Sequence, residues 1–144
     1  MTGRPQVAVG AVAIRAGAVL LVQRGQEPHR GRWSIPGGRV EPGETLHEAV
    51  VRELREETGQ LGVVDRFVGF TEHIDASPGG AHFVILGFHV VLDQANPPPV
   101  AAEDAVAAEW MPLDQLAGID LVPGLGQLLA TVASDPDMPR SLVM

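Results

Sequence analysis

The stretch at residues 38–59 reads GRVEPGETLHEAVVRELREETG and contains the best-marked helix of the chain. Thr45 followed by Glu48 matches a capping box, in which two side chains satisfy the free amides of a helix start. Gly59 stands where a left-handed residue ends a helix. We therefore predict a helix from Thr45 to Thr58. The strands predicted on both sides of it set the fold class.

One face of this helix changes from apolar to acidic along its length. At about 100° per residue, Leu46, Ala49 and Val50 share a face that is predicted to meet the core. Glu53 and Glu57 continue that face over the next two turns. The acidic end of the stripe is therefore directed beside the core rather than away from it.

Three carboxylates converge at this end of the helix. Glu53 lies one turn from both Glu56 and Glu57, at spacings where side chains are neighbours and like charges repel. Arg52 and Arg55 lie elsewhere around the helix and are expected to neutralise only part of the cluster. One interpretation is a solvated acidic helix with alternating ion pairs. The other is a site for a hard divalent cation with oxygen ligands, Mg²⁺ or Mn²⁺.

The rest of the chain alternates strands with helices. Branched and aromatic residues predict five strands, and an Ala16-Gly17 turn joins the first two. The strands are Val7 to Ile14, Ala18 to Gln23, Val63 to Thr71, His82 to Leu92 and Ala107 to Met111. We expect a loop over Gly25 to Pro42, a helical turn over Leu113 to Ala117 and a helix over Leu125 to Ala133. This order favours an α/β fold, a mixed sheet with helices packed on it.

Composition narrows the classes of function. The chain has 144 residues, 45% of them hydrophobic, and a formal net charge of −8. These values fit one domain over residues 1–144 with a loose tail over 134–144, and they argue against binding to nucleic-acid polymers. All ten basic residues are arginine and cysteine is absent, which excludes lysine and cysteine chemistry. No stretch is apolar enough to predict a membrane span or a signal peptide, so we expect a cytoplasmic protein.

A loop rich in glycine and arginine precedes the helix. Gly37 and Gly38 allow backbone conformations closed to other residues and let a carbonyl approach a metal. Arginine forks match phosphate oxygens, although each arginine here could also serve only surface solubility. The arginines are Arg24, Arg30, Arg32 and Arg39. Trp33 is predicted to be a packing anchor rather than a stacking platform. Carboxylate-bound metal beside arginines points to phosphoryl chemistry.

The spacing of the glycines, Arg52 and the glutamates resembles that of the Nudix hydrolases. The sequence motif of that family, the Nudix box, corresponds in this chain to Gly38, Glu44, Arg52-Glu53, Leu54, Glu56-Glu57 and Gly59. Gln60 stands where the family has an aliphatic residue, which is a packing position. The resemblance implies an α/β/α sandwich with a mixed sheet. It also implies hydrolysis of a diphosphate linkage in a nucleoside diphosphate derivative.

The resemblance also implies roles for individual residues. Glu53, Glu56 and Glu57 match metal ligands, one of which serves as the base, and the Gly37 carbonyl matches a further ligand. Arg52 matches the residue that orients the carboxylates, and Glu44 is expected to support the loop or to reach metal through water. Predicted substrate contacts are Arg24, Arg32, Arg39 and Phe83. Asp104, six residues before Trp110, is a candidate metal ligand or base, or else part of an ordinary acidic loop.

Substrate signals outside the box are weaker. The overall pattern is most similar to small ADP-ribose pyrophosphatases, but the proline marker of that group is shifted from Ala76 to Pro78. Mutator-type nucleoside triphosphate pyrophosphohydrolases are the alternative, with His73, His82 and Phe83 as residues of a base pocket. A catalytically silent nucleotide sensor is a third interpretation. Many relatives are homodimers, although nothing in the sequence identifies an interface.

Overall fold

The computed structural model describes residues 3–137 and contains every helix and strand predicted from the sequence. In chain order the elements are β1 (Gln6–Arg15), β2 (Ala18–Arg24), β3 (Trp33–Ser34), β4 (Gly37–Arg39), α1 (Leu46–Thr58), β5 (Gly62–Ile74), β6 (His82–Leu92), β7 (Ala105–Pro112), a 3-10 turn (Leu113–Gly118) and α2 (Leu125–Ser134). Within the described part of the chain, neither helix has the length and apolar character that crossing a membrane requires.

Strand β1 is the centre of a mixed sheet. The strand order is β3-β2-β1-β6-β5, with β4 paired to β1 and β7 paired to β2. β1 and β6 run parallel, whereas the other pairings are antiparallel. Ala16 and Gly17 have φ angles of 49° and 77° and form the predicted two-residue turn between β1 and β2. Two left-handed residues match the twist of the strands they join.

The residues of β1 alternate between two hydrophobic cores. Val9 and Ala11 pack in the core that includes residues of α1. Val12 and Ile14 pack in the core that includes residues of α2. A strand covered on both faces reads as a continuous apolar run, as β1 does. The arrangement confirms the α/β/α sandwich with a mixed sheet.

Three local predictions were wrong. Leu46 is 36% exposed at the first turn of α1, and Leu54 is the fully buried leucine of that helix. The predicted loop over residues 25–42 contains β3 and β4, which are too short to produce a periodic pattern. Ser134 belongs to α2 and not to a tail. Most of the predicted tail, residues 138–144, lies outside the described residues.

Candidate active site

The capping of α1 fixes the position of its acidic residues. The Thr45 hydroxyl accepts a hydrogen bond from the Glu48 amide, and the Glu48 carboxylate accepts one from the Thr45 amide, each at 3.1 Å. At the other end the amide of Gly59, with φ 74°, donates to the Arg55 carbonyl at 2.8 Å. The two caps define where the helix begins and ends. Two of its glutamates meet the glycines of β4, because Glu53 lies against Gly38 and Glu57 binds the Gly37 amide.

Arg52 connects the loop before α1 to the helix. Its Nε and Nη2 atoms donate to the two carboxylate oxygens of Glu44 at 2.6 and 2.9 Å. Nη2 also donates to the Arg39 carbonyl at 3.1 Å. Such a bidentate pair fixes direction as well as distance. The guanidinium holds the pKa of Glu44 at about 2. Glu44 is therefore a fixed anion that supports the loop, which is the first of the two roles expected for it.

The same guanidinium reaches two of the predicted metal ligands. Nη1 of Arg52 donates to Glu53 at 2.8 Å and to Glu56 at 3.1 Å. Arg52 thus pairs with two of the three glutamates, in agreement with the prediction that it neutralises only part of the cluster. Arg52 and Glu53 are both only about one-sixth exposed, at 16% and 15% of their side-chain surface. The interaction is thus shielded from water and stronger than a surface ion pair.

Glu57 is placed differently from the other two glutamates. Its Oε1 atom accepts a hydrogen bond from the Gly37 amide at 2.7 Å. Burial raises the pKa of Glu57 to about 7, against the lowering effect of that amide. The carboxylate therefore lies where a negative charge is poorly compensated by the surrounding protein atoms.

Gly38 makes room for the carboxylate of Glu53. A Cβ atom at Gly38 would lie 2.6 Å from the carboxyl carbon of Glu53, closer than atoms can approach. Burial raises the pKa of Glu53, while the Arg52 guanidinium opposes that rise. The glycine of the box is thus required by the close approach of α1 to β4.

These groups line a cavity of about 930 Å³, a size suited to a nucleotide derivative. Glu53, Glu56 and Glu57 all line it, and so do most of the other residues predicted from the sequence. The remaining predicted residues that line it are Gly37, Arg24, Arg39, His73, Phe83 and Asp104. His82, which was also predicted for a base pocket, does not line it and pairs with Glu72 at 3.1 Å. The Asp104 carboxylate accepts a hydrogen bond from the Gln26 side chain at 2.9 Å. The structure therefore brings the acidic helix, two arginines and an aromatic ring to one space.

Arg32 is the predicted substrate contact that does not line this cavity. Its Nε atom lies 3.6 Å from the carboxylate of Asp120, in the segment before α2. The neighbouring Trp33 packs against the core beneath α2, as predicted. Sequence position alone could not separate Arg32 from Arg24, because the direction of each side chain depends on how the loop folds.

The donor set suits a hard divalent cation, although the carboxylates are not gathered around one point. Within residues 3–137, no three His, Asp or Glu side chains are close enough together to hold a metal ion. Arg52 binds Glu53 and Glu56, and Glu57 binds an amide. All three nevertheless offer oxygen donors to one cavity, and a dication would compensate the buried charge of Glu57. The residues thus fit such an ion in chemistry and burial.

Sequence reasoning missed two residues that frame the cavity. His29 lies in the loop after β2, and its Nε2 atom is 3.3 Å from Nδ1 of His73 on β5. Gln26, in the same loop, joins it to Asp104. Both contacts link residues far apart in sequence, and the loop carries no periodic signal. The only clue in the sequence was that His29 lies between β2 and β3, a short distance before the residues of the Nudix box.

Comparison with known proteins agrees with this arrangement. Residues 4–132 match the family model described as NUDIX domain. The chain is 38% identical over 112 residues to an ADP-ribose pyrophosphatase of Methanocaldococcus jannaschii, a match covering 78% of this chain and 64% of that protein. It is 46% identical over 61 residues to a CTP pyrophosphohydrolase of Escherichia coli, covering 42% of this chain and 45% of that protein. The chain thus spans less than two-thirds of the length of either relative.

Solved structures give the same result. The crystal structure of a MutT NUDIX hydrolase from Burkholderia pseudomallei superposes with a TM-score of 0.80 at 31% identity. That match covers 90% of this chain and 99% of the other. Because the family model spans most of the chain and the fold agrees throughout, this chain belongs to the Nudix domain family.

Proposed function

We propose that this chain hydrolyses a diphosphate linkage in a nucleoside diphosphate derivative, in a reaction that depends on a divalent metal, Mg²⁺ or Mn²⁺. ADP-ribose or a related nucleoside diphosphate sugar is the substrate we favour. The similarity to the protein named ADP-ribose pyrophosphatase supports this choice over other diphosphates. The cavity has room for both halves of such a molecule.

One observation carries the proposal. A single guanidinium, that of Arg52, holds Glu44, Glu53 and Glu56 within hydrogen-bond distance, beside the buried Glu57. A structural helix gains little from burying two adjacent carboxylates, because burial penalises their charged forms. A site that must bind divalent cations gains from the same arrangement. Nudix hydrolases generally use divalent metals, which agrees with this interpretation.

The residues divide the chemistry between them. Glu53, Glu56 and Glu57 would hold the cation, with the Gly37 carbonyl and Asp104 as further ligands. When bound, the cation supplies positive charge to the diphosphate and acidifies water. Arg24 and Arg39 line the cavity and would bind phosphate oxygens. One of the box glutamates accepts the proton of the attacking water as its oxygen bonds to phosphorus and the bridging P–O bond breaks.

A mutator-type nucleoside triphosphate pyrophosphohydrolase is the second candidate. The similarity to the protein named CTP pyrophosphohydrolase, 46% identical over 61 residues, supports this candidate. The two candidates share the acidic helix and differ only in what occupies the rest of the cavity. A catalytically silent nucleotide sensor is less consistent with the chain, since Arg52 and all three box glutamates are present.

A hydrolysis screen tests the proposal. The purified protein is incubated with ADP-ribose, nucleoside diphosphate sugars, oxidised and normal nucleoside triphosphates, and dinucleoside polyphosphates, with Mg²⁺, with Mn²⁺ and after chelation. We expect the highest kcat/KM for ADP-ribose or a diphosphate sugar, and none after chelation. Highest activity on a triphosphate would favour the second candidate. Activity that survives thorough chelation would contradict both.

Two further predictions concern the whole protein. We expect a single domain over residues 1–144 and a cytoplasmic location. Neither the fold nor the site tests them, and they stay predictions.

A further inference from the structure

Two histidines that line the cavity contact each other. His29 belongs to the loop after β2, and His73 belongs to β5 at the far edge of the sheet. Nε2 of His29 lies 3.3 Å from Nδ1 of His73, and the ring centroids are 4.9 Å apart at 81°. Strands β1 and β6 lie between the elements that carry them. The contact between the two rings therefore connects the loop after β2 to strand β5 at the cavity.

A third ring extends this pair. Phe83 on β6 is the cross-strand partner of His73, and their ring centroids are 6.4 Å apart with planes inclined by 25°. His29, His73 and Phe83 all line the cavity and are all half-buried. Together they form a patch of flat, partly desolvated rings, which is the kind of surface on which planar heterocycles stack.

The hydrogen-bond capacity of the pair suits a nucleobase edge. A neutral imidazole has one donor nitrogen and one acceptor nitrogen. If His29 donates to His73, then Nδ1 of His29 is left as an acceptor and Nε2 of His73 as a donor. If the direction reverses, these roles exchange. In either case the neutral pair presents one donor and one acceptor, and nucleobase edges carry adjacent donors and acceptors.

The surroundings keep His29 neutral. Burial, His73 and the guanidinium groups of Arg32 and Arg24 all lower the pKa of His29. Arg32 thus has an electrostatic effect on this pair although its side chain does not line the cavity. A neutral His29 can contact His73 through one ring nitrogen and still offer the other to a base edge.

We propose that the His29–His73 pair and Phe83 form the subsite that recognises the nucleobase, and that this subsite makes the enzyme selective for nucleotides over base-free phosphates. This inference rests on the proposed function for the identity of the substrate class. The acidic helix would hold the diphosphate end, while the three rings hold the base. Recognition of base and phosphate would thus fall to different elements of the fold.

The test measures binding rather than turnover. The parent is titrated calorimetrically with the four common nucleoside monophosphates and with ribose 5-phosphate, which lacks a base. Variants are H73F, which keeps a ring but removes its nitrogens, and H29N, which keeps a residue that tolerates the left-handed backbone at φ 64°. H47F is the matched control, because His47 is an exposed residue of α1 that does not line the cavity, and phenylalanine keeps the ring that contacts Phe88.

The nucleoside monophosphate that the parent binds most tightly is the reference ligand. We expect H73F and H29N each to weaken the binding of that ligand by at least about tenfold. Binding of ribose 5-phosphate should stay within about twofold, and H47F should match the parent for both ligands. Histidine ring ¹⁵N NMR signals of His29 and His73 should shift with the nucleotide and not with ribose 5-phosphate. Equal weakening of both ligands, unchanged nucleotide affinity or no nucleotide binding by the parent would overturn the proposal.

This experiment separates the subsite from the proposed function. If the parent binds nucleotides through these histidines but hydrolyses nothing in the screen, the function fails and the subsite stands. If the parent hydrolyses ADP-ribose but the variants affect nucleotide and ribose 5-phosphate alike, the subsite fails and the function stands.

Discussion

Arg52 and Glu44 form a bidentate ion pair, with contacts of 2.6 and 2.9 Å, that ties the loop before α1 to the second turn of the helix. The two residues are eight positions apart in the sequence, so their ion pair holds the preceding loop against the start of the helix. The same guanidinium then reaches Glu53 and Glu56. One arginine thereby fixes the separation between a supporting carboxylate and two candidate ligands.

Replacing Arg52 with glutamine should abolish most activity. The change leaves Glu44, Glu53 and Glu56 without their shared donor, so their positions relax and their charges repel. Misplacement by about 1 Å costs on the order of 100-fold in rate, and we expect kcat/KM to fall at least that far. Steady-state kinetics with Mg²⁺ measures the effect. R55Q is the control, because Arg55 lies exposed on the same helix. Parent-like activity of R52Q, or an equal loss in R55Q, would contradict the role of Arg52.

Adding one methyl group at Gly38 should disable the site without unfolding the protein. A Cβ atom there would meet the Glu53 carboxylate at 2.6 Å, so the side chain must move. We expect G38A to lower kcat by about 100-fold while circular dichroism stays unchanged. G118A is the matched control, because a Cβ at Gly118 meets nothing within 4 Å. If G38A turns over substrate at the parental rate, then Glu53 does not act from the position seen here.

The buried Glu57 should make the metal-free protein less stable at higher pH. Its pKa is raised to about 7 in the folded state and returns to 4.5 on unfolding, so between these values the folded state binds the extra proton. Stability therefore falls as pH rises through this range. Comparing E57Q with the parent isolates the contribution, since glutamine cannot ionise.

Urea unfolding after chelation checks this expectation. From pH 5 to pH 8 the free energy of unfolding of the parent should fall relative to that of E57Q by about 2 kcal/mol. A difference between the two proteins that does not change over this range would show that Glu57 is not a poorly compensated buried carboxylate.

The core face of α1 can be tested by two leucines on that helix. Leu54 is fully buried, whereas Leu46 is 36% exposed. Leu54→Ala should lower the free energy of unfolding by about 2–5 kcal/mol, since it leaves a cavity between α1 and the sheet. Leu46→Ala should cost less than about 1 kcal/mol. Denaturant titration of both variants gives the comparison, and similar losses would contradict the packing of the helix.

The fold and the acidic helix were predictable because both depend on local patterns. The capping residues predicted the ends of α1. The continuous apolar run of β1 is typical of a strand that is covered on both faces. Leu46 was misassigned because helical periodicity gives a face but not how far along the helix that face is covered by the sheet. The short strands β3 and β4 were missed for a related reason, since they exist only through pairing with distant strands.

The site was predictable only where spacing along one helix determines it. Glu53, Glu56 and Glu57 share a face by geometry, and the cavity confirms that they line one space. Arg32 and Arg24 look alike in sequence, yet only Arg24 lines the cavity. His29 and His73 are 44 residues apart, and their contact depends on the path of the loop after β2. Such contacts follow from the fold and have no local signature.

The proposal that the acidic face of α1 carries metal-dependent hydrolysis is tested by Glu53→Gln. The substitution preserves the volume of the side chain but removes its charge and one oxygen of a proposed metal ligand. We measure kcat on the best substrate of the screen, at saturating Mg²⁺, for the variant and the parent. We expect kcat to fall by at least about 1,000-fold while the fold stays intact. Turnover by E53Q at the parental rate would contradict it.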